Sequence, residues 1–570
     1  MIKNEFKWIV TSAWPYINAV PHLGNLIGSV LSADVFARYC RLKGHQVVFV
    51  SGSDEHGTPV AVSAMQQNMT PEELIEKNHK YVKNLFERWQ ISYDNYTETH
   101  NPIHFKFVQH FFKQIDDNGY IFEKEEDVLY CKNCELYLPD RFVEGECPNC
   151  GGKARGDQCD ECGKLLKPTQ LINYYCKSCG KKNIDFRKSK HWYMDFPKLE
   201  DELREFIENG KDRFTSNAIN ICRRFIKEGI PARAITRDLE WGIPAPFEGA
   251  ENKVIYVWFE AVLGYLSAVK EWAEKIKENS TLFNDFWNDP ESRSVYFIGK
   301  DNIIFHLIIF PGLILAYNKN LPAEEKLTLP YNISTTEFLM YEGSKFSKSQ
   351  NRGIWIDEAL DILPSDYWRY YLIRNRPELK DISFLWDEFA NSLIELNDII
   401  GNFVHRILTF TKKFFDSTVP EPGNYDDDDS KLIETISNNI EKIEQLYDDI
   451  KLKPVLEEIV NLAREGNKYF NGKEPWHLIE KDKEKVGTIL YLSIQLVYVL
   501  AILLCPIIPD SSQKIFDFLN KPSKVEDHNW NETEDFSIKP GTKISKPTPI
   551  FQKYKLKDLK EKYKKIKSGK

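Results

Sequence analysis

A histidine, a glycine and an asparagine lie close together near the start of the chain, in the run Pro21-His22-Leu23-Gly24-Asn25. Residues 7–11 before the run are apolar and predict a strand, and residues 25–43 after it have helical spacing. The beginning of a helix carries unpaired N–H groups and partial positive charge, so it attracts phosphate. Gly24 lets a nucleotide approach the backbone, and His22 can donate hydrogen bonds to phosphate oxygens. Alone, the run is weak evidence, because a plain helix cap explains it equally well.

A second polar segment, residues 343–349, reads Gly-Ser-Lys-Phe-Ser-Lys-Ser. Its charged side chains are Lys345 and Lys348. A lone lysine–serine loop is usually ordinary surface. Together with the histidine run, however, it supplies mobile positive charge for a triphosphate, and phosphoryl and nucleotidyl transfers depend on such electrostatic stabilisation. The two segments together predict nucleotide chemistry.

Eight of the eleven cysteines form Cys-x-x-Cys pairs, which are Cys131/Cys134, Cys147/Cys150, Cys159/Cys162 and Cys176/Cys179. Two pairs complete a tetrahedral zinc site that has no open position, so the pairs predict two structural zinc ions. Sequential and nested combinations of the pairs both fit the spacing. Because this is a large chain whose start lacks a signal-peptide pattern, we expect metal binding in a reducing compartment, the cytoplasm, rather than disulfides. The other cysteines, Cys40, Cys222 and Cys505, lie in apolar segments and are expected to be buried.

The elements that must position these residues begin with a strand–helix–strand unit, because residues 46–51 form a second apolar, β-branched run. Such a unit implies a parallel sheet. The cysteine region interrupts the pattern, and strand-like runs resume at residues 253–258 and 294–298. From about residue 387 the chain shows helical periodicity without a clear strand. The predicted fold is α/β, with a zinc-binding insertion and a helical bundle after it. The acidic residues 426–429 are predicted to be a solvated loop between helices.

The bulk properties limit the possibilities further. A chain of 570 residues suggests two to four domains. The net charge of −9 argues against indiscriminate nucleic-acid binding but permits a local basic surface. Nine lysines between residues 553 and 570 fit either a solvated, frayed tail or an RNA-contacting segment. Residues 486–505 are long enough to span a membrane, but Thr488, Ser493 and Gln495 favour a buried bundle helix.

The two polar segments resemble the signatures of class I aminoacyl-tRNA synthetases. The run HLGN is similar to their HIGH sequence, and KFSKS is similar to KMSKS; the departures are Asn25 and Phe346. Within that class the chain resembles the methionyl-tRNA synthetase family over nearly its whole length. The segments that carry this resemblance are AWPY at 13–16, SDEHGT at 53–58, YVW at 256–258, FIGKD at 297–301 and FH at 305–306.

The resemblance implies a Rossmann-type catalytic domain that activates methionine with Mg-ATP and transfers it to tRNA(Met). It places His22, Asn25, Lys345 and Lys348 in catalysis, and His22, Gly24, Asn25, Gly299, Asp301 and Lys348 at ATP. It also gives the methionine site as Ala13, Trp14, Tyr16, Asp54, Trp258, Ala261, Tyr265 and His306. Asp54 would pair with the ammonium group, and the aromatic residues would pack against the polarizable thioether. Without the resemblance, core packing would be the better explanation of these aromatic residues.

The resemblance also bears on metal and RNA. It favours the nested zinc pairing, with Cys147, Cys150, Cys159 and Cys162 around one ion and Cys131, Cys134, Cys176 and Cys179 around the other. It implies that Asn402, Arg406 and Trp476 read the anticodon, where an indole can stack on an unpaired base. Taken alone, each of these three residues would be better explained by bundle packing or a surface charge.

These inferences divide the chain into six parts. They are the catalytic domain at 1–122 and 191–325, the zinc insertion at 123–190, the KMSKS-type loop and stem-contact region at 326–386, the helical anticodon domain at 387–545 and a basic tail at 546–570. We expect a monomer without a membrane partner, because the family's dimeric members carry an additional C-terminal domain. Two alternatives stay open: a sister class I synthetase for another apolar amino acid, and a zinc-ribbon RNA-binding protein without catalysis.

Overall fold

The computed structural model describes residues 5–139, 142–159, 161, 162, 164, 166–348 and 350–569. Ser349, in the second signature segment, lies outside these residues. The first half of the chain forms an α/β domain that is interrupted by the cysteine-rich insertion. The second half forms a helical domain that packs against it.

The α/β domain is built on a five-stranded parallel sheet. Its strands, in spatial order, are Asn332–Thr336, Arg293–Gly299, Lys7–Ser12, Gln46–Ser53 and Asn95–Glu98. The chain starts in the centre and fills one side before the other, so the order reverses between Lys7–Ser12 and Arg293–Gly299. In open α/β sheets, ligands bind at the carboxyl ends of the strands beside such a reversal.

Helices cover both faces of this sheet. They are Leu23–Asn25, Leu26–Val30, Leu31–Leu42, Thr58–Gln67, Pro71–Arg88, Pro102–Asp117, Glu200–Asn209, Ser216–Lys227, Val257–Ala261, Gly264–Glu271, Trp272–Ile276, Thr281–Trp287, Phe305–Ile309 and Phe310–Asn318. The predicted strand–helix–strand unit is confirmed, with the helical part running continuously from Leu23 to Leu42.

The prediction of a strand at residues 253–258 is wrong for most of that run. Only Val254–Ile255 is extended, in a two-stranded pair with Thr236–Arg237. A helix begins at Val257, and the side chain of its buried Glu260 is hydrogen-bonded to His56 and His104. Residues 294–298 do lie in a strand, Arg293–Gly299, as predicted.

The insertion is carried on a long antiparallel hairpin formed by Ile121–Cys131 and Ile184–Met194. The short strands Val143–Glu146, Lys153–Arg155 and Ile172–Cys176 form a small sheet at its end, and Leu136–Tyr137 pairs with the hairpin. Arg233–Ala234 extends the hairpin on its other edge. The two groups of cysteines lie at the far end of this hairpin, away from its attachment to the α/β domain.

The second half contains a connecting region and a bundle. The connecting region has the strands Leu339–Tyr341 and Ile382–Phe384 and the helices Ile356–Ile362 and Ser365–Arg374. The bundle comprises Trp386–Glu395, Leu396–Gly401, Asn402–Phe414, Asp427–Asp448, Leu452–Gly472, Pro475–Leu478, Lys483–Leu504 and Pro509–Phe518. The predicted fold class is therefore confirmed: a parallel-sheet domain, a cysteine-rich insertion and a helical domain.

Among the described residues, two helical segments, Lys300–Asn318 and Lys483–Leu504, are long and apolar enough to cross a membrane by length and composition. Only the second one stands out in the sequence, as residues 486–505. That helix is buried from Val486 to Leu504 at the centre of the bundle. Its Gln495 side chain exchanges two hydrogen bonds with the backbone of Ile538, so the polar group is satisfied inside the protein. Such burial is what a bundle core helix shows.

Residues 426–429 are not a loop between helices. Asp426 caps the helix Asp427–Asp448, and its side chain accepts a hydrogen bond from the backbone N–H of Asp429. Carboxylates at this end of a helix are stabilised by the helix dipole. Asp429 is buried and forms ion pairs with Lys473 and Lys485. The acidic run is thus a helix start that also joins three helices of the bundle.

The C-terminal segment is not a frayed tail. Leu556–Ser568 is a helix that packs against Ile356–Ile362 and Trp386–Glu395. Leu559 on its inner face is fully buried. Near its end, Lys567 forms an ion pair with Glu358 and lies over the ring of Trp355. The apolar residues of this helix recur three and four positions apart, which is a helical pattern. The lysine count alone does not reveal it.

One buried arginine joins the two halves. Arg369 Nη2 lies 2.6 Å from the carboxylate of Asp34 in the α/β domain. The same guanidinium donates hydrogen bonds to the carbonyl groups of Trp89, Pro506 and Ile507. All of these groups are inside the protein, so the relative position of the two domains is fixed by hydrogen bonds with defined directions.

Candidate functional site

A cavity of about 510 Å³ opens at the carboxyl edge of the sheet, where the strand order reverses. It contains most of the residues that the sequence analysis selected for ATP and methionine. These are Ala13, Trp14, Tyr16, His22, Gly24, Asn25, Asp54, Trp258, Ala261, Tyr265, Gly299, Asp301, His306 and Lys345. Lys348 does not line the cavity and is exposed.

The floor of the cavity is a hydrogen-bonded pair, Tyr265 and His306. The phenol oxygen lies 2.8 Å from His306 Nε2, and His306 Nδ1 lies 3.0 Å from the carbonyl oxygen of Asn302. Burial lowers the pKa of His306 to about 4, so the imidazole is neutral. Nδ1 therefore donates to the carbonyl group, and Nε2 accepts from Tyr265. The result is an uncharged aromatic floor that suits a thioether better than a charged side chain.

Trp14 forms one wall, and glycines make room for its indole. A Cβ atom at Gly52 would lie 2.4 Å from the ring of Trp14, and one at Gly264 would lie 2.7 Å from it. The indole meets the ring of Tyr265 edge to face. On the opposite wall, Trp258 stacks on Phe305 with ring centroids 4.4 Å apart. The aromatic walls are thus positioned by close packing that only glycine permits at two points.

Asp54 and Tyr16 are brought together by the backbone. The N–H group of Asp54 donates to the carbonyl oxygen of Pro15 at 2.9 Å, and Ile17 N–H donates to the carbonyl oxygen of Asp54 at 3.2 Å. The loop after the first strand is therefore fixed to the end of the second strand. Asp54 is buried at the rim of the aromatic pocket, where its carboxylate can pair with an ammonium group.

His22 and Asn25 cap the helix that begins at Leu23. His22 Nδ1 accepts the backbone N–H of Asn25 at 3.2 Å, and the Asn25 side chain accepts the backbone N–H of His22 at 3.1 Å. His22 and Asn25 therefore do form a helix cap, as the simpler explanation of the first signature expects. Burial lowers the pKa of His22 to about 4. The ring is neutral, and since Nδ1 accepts a hydrogen bond, its proton is on Nε2, which can donate to a phosphate oxygen.

The second signature segment lies beside the first. The ring of Phe346 stacks on the imidazole of His22, with centroids 4.2 Å apart and an angle of 9° between the planes. On its other side Phe346 covers Gly353, where a Cβ atom would lie 2.3 Å from the phenyl ring. The backbone of residues near Phe346 is held by two hydrogen bonds between Ser347 and Arg352. The phenylalanine that replaces the methionine of KMSKS is therefore the contact between the two signatures.

Gly299 and Asp301 lie at the end of the neighbouring strand. A Cβ atom at Gly299 would lie 2.6 Å from an Asp301 carboxylate oxygen, so glycine lets that carboxylate fold back toward the strand end. Both residues face the same cavity as His22. A carboxylate at the end of a parallel strand can accept hydrogen bonds from the hydroxyl groups of a ribose.

The eight paired cysteines form two clusters in the nested arrangement. One contains Cys131, Cys134, Cys176 and Cys179, and the other contains Cys147, Cys150, Cys159 and Cys162. Sulfur–sulfur distances across the pairs are 3.7 and 3.9 Å in the first cluster and 3.8 and 3.5 Å in the second. Zinc–sulfur bonds of about 2.3 Å in a tetrahedron separate the sulfurs by roughly 3.8 Å. Either cluster could therefore hold a zinc ion. Cys40, Cys222 and Cys505 are buried, as predicted.

Asn402, Arg406 and Trp476 lie on one surface of the helical domain. Asn402 and Arg406 are one turn apart on the helix Asn402–Phe414. Arg406 and Trp476 both contact the ring of Phe470, and Arg406 also donates to Asn471 Oδ1 at 2.7 Å. Trp476 is 42% exposed, so its indole is only partly packed against the bundle. We call these three residues the Trp476 surface.

Comparisons with known proteins match both halves. The model of the family "tRNA synthetases class I (M)" matches residues 8–408. The model of the family "Anticodon binding domain of methionyl tRNA ligase" matches residues 419–570. The chain belongs to the methionyl-tRNA synthetase family. The second match includes residues 546–570, so the C-terminal helix is part of the family's helical domain.

Relatives cover the chain almost completely. It is 46% identical over 566 residues to the methionine–tRNA ligase of Thermofilum pendens, which is 99% of this chain and 98% of that protein. It is 49% identical over 553 residues to that of Ignicoccus hospitalis, covering 96% and 95%. The fold is similar to that of Mycobacterium tuberculosis methionyl-tRNA synthetase in complex with methionyl-adenylate, with a TM-score of 0.79, 24% identity, and 96% and 99% coverage. As a member of this family, the chain is an ATP-dependent ligase that joins methionine to tRNA.

Sequence reasoning missed a buried charged network that supports the synthetase pocket. Glu260, two residues after Trp258, lies 2.8 Å from His56 Nδ1 and 2.8 Å from His104 Nε2. Burial alone would raise the pKa of the Glu260 carboxyl, but the adjoining His56 and His104 bring it below its usual value. The network ties the helix that carries Trp258 and Ala261 to the segment that follows Asp54. The histidine of the DEH sequence was the available signal, although its partner lies 204 positions away.

Four further residues line the cavity although they lie outside both signature segments and were not predicted from the sequence. Arg233 and Arg237 come from the region after the insertion, and Asp157 and Gln158 come from the loop between two cysteine pairs. Arg237 stacks on the ring of Tyr256, with its guanidinium carbon 3.7 Å from the ring centre. Nothing in their local sequence marked these residues. The cysteine-rich insertion therefore contributes directly to the wall of the catalytic cavity.

Proposed function

We propose that the cavity performs methionine activation with a defined division of labour among its residues. The observation that carries the proposal is the meeting, in one space, of an uncharged aromatic pocket, the Asp54 carboxylate and both nucleotide signatures. The thioether occupies the pocket floored by Tyr265 and His306. The ammonium group pairs with Asp54, which leaves the carboxylate of methionine directed toward His22 and Asn25.

In the first step, the methionine carboxylate attacks the α-phosphorus of ATP, and the bond to pyrophosphate breaks. His22 donates from Nε2, and Asn25 donates from its side-chain amide, to the phosphate oxygens as negative charge increases on them. Lys345 and Lys348 stabilise the leaving pyrophosphate. Because Lys348 lies outside the cavity and Phe346 covers His22, the signature loop must move toward the nucleotide before the reaction. Mg²⁺ bound to ATP supplies further charge neutralisation.

Adenosine is bound at the neighbouring strand end. Gly24 lets the nucleotide approach the helix start, and Asp301, beside Gly299, accepts hydrogen bonds from the ribose hydroxyl groups. In the second step, the terminal ribose hydroxyl of the tRNA attacks the methionyl carbonyl group and AMP leaves. No covalent enzyme intermediate is needed.

The tRNA also contacts the Trp476 surface, where the indole stacks on an anticodon base and Arg406 and Asn402 donate to base edges. Supporting this role, the indole is 42% exposed beside a half-buried arginine.

The two cysteine clusters each hold one structural zinc ion, because four thiolates complete the coordination and leave no position for substrate. Eight reduced cysteines at metal sites fit a cytoplasmic protein, and we propose that it acts as a monomer. Cys147→Ser and Cys159→Ser should each remove the same ion, and Cys131→Ser should remove the other, as measured by metal analysis of the purified chain.

Amino-acid-dependent exchange of pyrophosphate with ATP tests the activation step. We expect exchange with methionine and, among the twenty amino acids, at most weak exchange with leucine or other apolar residues. Stronger exchange with a different amino acid would refute the assignment of the pocket. Absence of exchange with every amino acid would refute the catalytic role of the cavity.

A further inference from the structure

A group of three possible metal ligands lies outside the catalytic cavity and both cysteine clusters. It consists of Glu55, His79 and Glu98, whose ligand atoms all lie within 4.8 Å of one another. Glu55 follows the strand Gln46–Ser53, Glu98 ends the neighbouring strand Asn95–Glu98, and His79 comes from the helix Pro71–Arg88. None of the chemistry described above uses these side chains. We propose that they form a third metal site, which binds a divalent first-row cation such as Zn²⁺ through one imidazole and two carboxylates.

The distances suit such an ion. His79 Nδ1 lies 3.8 Å from Glu55 Oε1 and 3.9 Å from Glu98 Oε2. Bonds of about 2.0–2.2 Å to nitrogen and oxygen ligands keep neighbouring ligand atoms roughly 3–4 Å apart. The three atoms are thus too far apart for hydrogen bonds and at the right separation for a shared ion. Nitrogen with two carboxylate oxygens is a ligand set that zinc and its neighbours accept.

Glu55 Oε1 gives an independent reason for a ligand. The side chain of Glu55 is completely buried, and Oε1 has no hydrogen-bond partner among the described residues. Its other oxygen accepts the backbone N–H of His100 at 3.3 Å, which aims Oε1 at His79. Within the described part of the chain, neither Glu55 nor Glu98 has a lysine or arginine at ion-pair distance. A buried carboxylate oxygen without a partner is costly, and a cation at this point would remove that cost.

The imidazole of His79 is held in position for this role. Its ring stacks on Tyr96, with centroids 5.4 Å apart and an angle of 17° between the planes. Nδ1 also lies 2.6 Å from the hydroxyl oxygen of Ser53. The Ser53 side chain would therefore have to rotate away from Nδ1 for an ion to bind there. The phenol oxygen of Tyr96, 3.3 Å from the Ser53 hydroxyl oxygen, is its alternative hydrogen-bond partner. The side chain of Glu98 is 40% exposed, so the ion can enter from solvent and retain water as a further ligand.

The position of the site suggests what the ion does. Ser53, Asp54 and Glu55 are consecutive, so a cation on Glu55 fixes the end of the strand that presents Asp54 to the amino acid. The ion is structural in this role and takes no part in the reaction. The metal-binding proposal itself is independent of the proposed function of the cavity, because it is tested by counting ions.

The test measures zinc bound per full-length chain after equilibration with micromolar ZnCl₂ and removal of free metal. The native chain is compared with His79→Ala, Glu98→Gln and the control Glu87→Gln, an exposed glutamate on the same helix as His79. We expect one ion fewer in His79→Ala and in Glu98→Gln than in the native chain, and no loss in Glu87→Gln. X-ray absorption of the native chain should show nitrogen and oxygen neighbours of zinc that Glu98→Gln lacks.

Equal zinc content in all four chains would overturn the proposal and would show that Glu55 is accommodated without an ion. If His79→Ala fails to fold by circular dichroism, Glu98→Gln decides the question, because it keeps the shape of a partly exposed side chain. Loss of an ion in the control as well would also contradict the proposal, since it would place the binding on the helix surface.

Discussion

The methionine pocket and the Trp476 surface place aromatic side chains in opposite environments. In the pocket, Tyr265 and His306 are almost fully buried and hydrogen-bonded to each other. On the Trp476 surface, the indole is 42% exposed and meets the rings of Phe470 and the adjacent His477 at steep angles. The pocket residues are covered and hydrogen-bonded by the protein itself, whereas the surface indole has an exposed part on which an RNA base could stack.

This difference determines which measurement can test each region. A change in the pocket alters packing and hydrogen bonds as well as binding, so its effect must be measured as selectivity between substrates. A change on the surface leaves the folded protein nearly unaltered, so its effect appears in tRNA use alone. The signature loop is a third case, because Lys348 is exposed and yet is proposed to act on the buried site.

The largest effect is expected for Lys348→Ala. Removal of the charge that stabilises the leaving pyrophosphate should lower the rate of adenylate formation by about 10²–10³-fold. Methionine affinity should change little, because Lys348 does not line the pocket. Rapid-quench measurement of adenylate formation, with the exposed lysine variant Lys326→Ala as a control, checks this expectation. A collapse of methionine binding would show that Lys348 is structural.

The second-largest effect is expected on the Trp476 surface. Trp476→Ala should raise the tRNA concentration needed for charging by roughly one to two orders of magnitude, since one stacking contact contributes about 1–3 kcal/mol. Methionine-dependent pyrophosphate exchange should stay nearly unchanged. Tyr425 is 44% exposed on the same domain, so Tyr425→Ala is the matched control. Equal losses in exchange and charging would mean that Trp476 packs the bundle.

The third prediction concerns the pocket. His306→Ala removes the acceptor of the Tyr265 hydroxyl group and opens the floor, so discrimination between methionine and leucine should fall by about 1–3 kcal/mol. The ratio of kcat/KM values for methionine, norleucine and leucine in pyrophosphate exchange measures this loss. His110→Ala, at an exposed histidine, serves as the control. Unchanged selectivity would remove His306 from the pocket.

The smallest effect is a dependence of stability on pH that belongs to the pocket. Burial lowers the pKa of His306 from 6.5 to about 4. As the pH falls below 6.5, His306 takes up a proton in the unfolded chain but stays neutral in the folded chain until about pH 4. The contribution of His306 to the free energy of unfolding is therefore fully present above pH 6.5 and is lost as the pH falls from 6.5 to 4. The difference in unfolding free energy between pH 7.5 and 5.5 should be about 1 kcal/mol smaller in His306→Gln than in the native chain. Urea titration measures it, and Trp476→Ala should keep the native difference.

Local sequence determined much of the site because the signatures are short and lie on elements with regular periodicity. The strand–helix–strand unit that carries His22, Gly24 and Asn25 was predictable from apolar spacing, and the cysteine pairs predicted two metal clusters. The helical start at Val257 was not predictable, because the run KVIYVW has the side chains of a strand. The helix places Glu260 in contact with His56 and His104, and these partners are too distant in sequence for the local pattern to reveal.

The sequence by itself determined which residue types were available for chemistry: the two signatures, the aromatic residues and the four cysteine pairs, together with the family they indicate. The tertiary structure alone decided which of them meet. It bore out the nested arrangement of the cysteines, which the cysteine spacing left open and the family resemblance favoured. It also brought Arg237 and Asp157 to the cavity at the end of the sheet and docked the lysine-rich end as a helix. The physical reason is that periodicity records the face a residue presents, whereas partners far apart in the chain are selected by packing and by the satisfaction of buried polar groups.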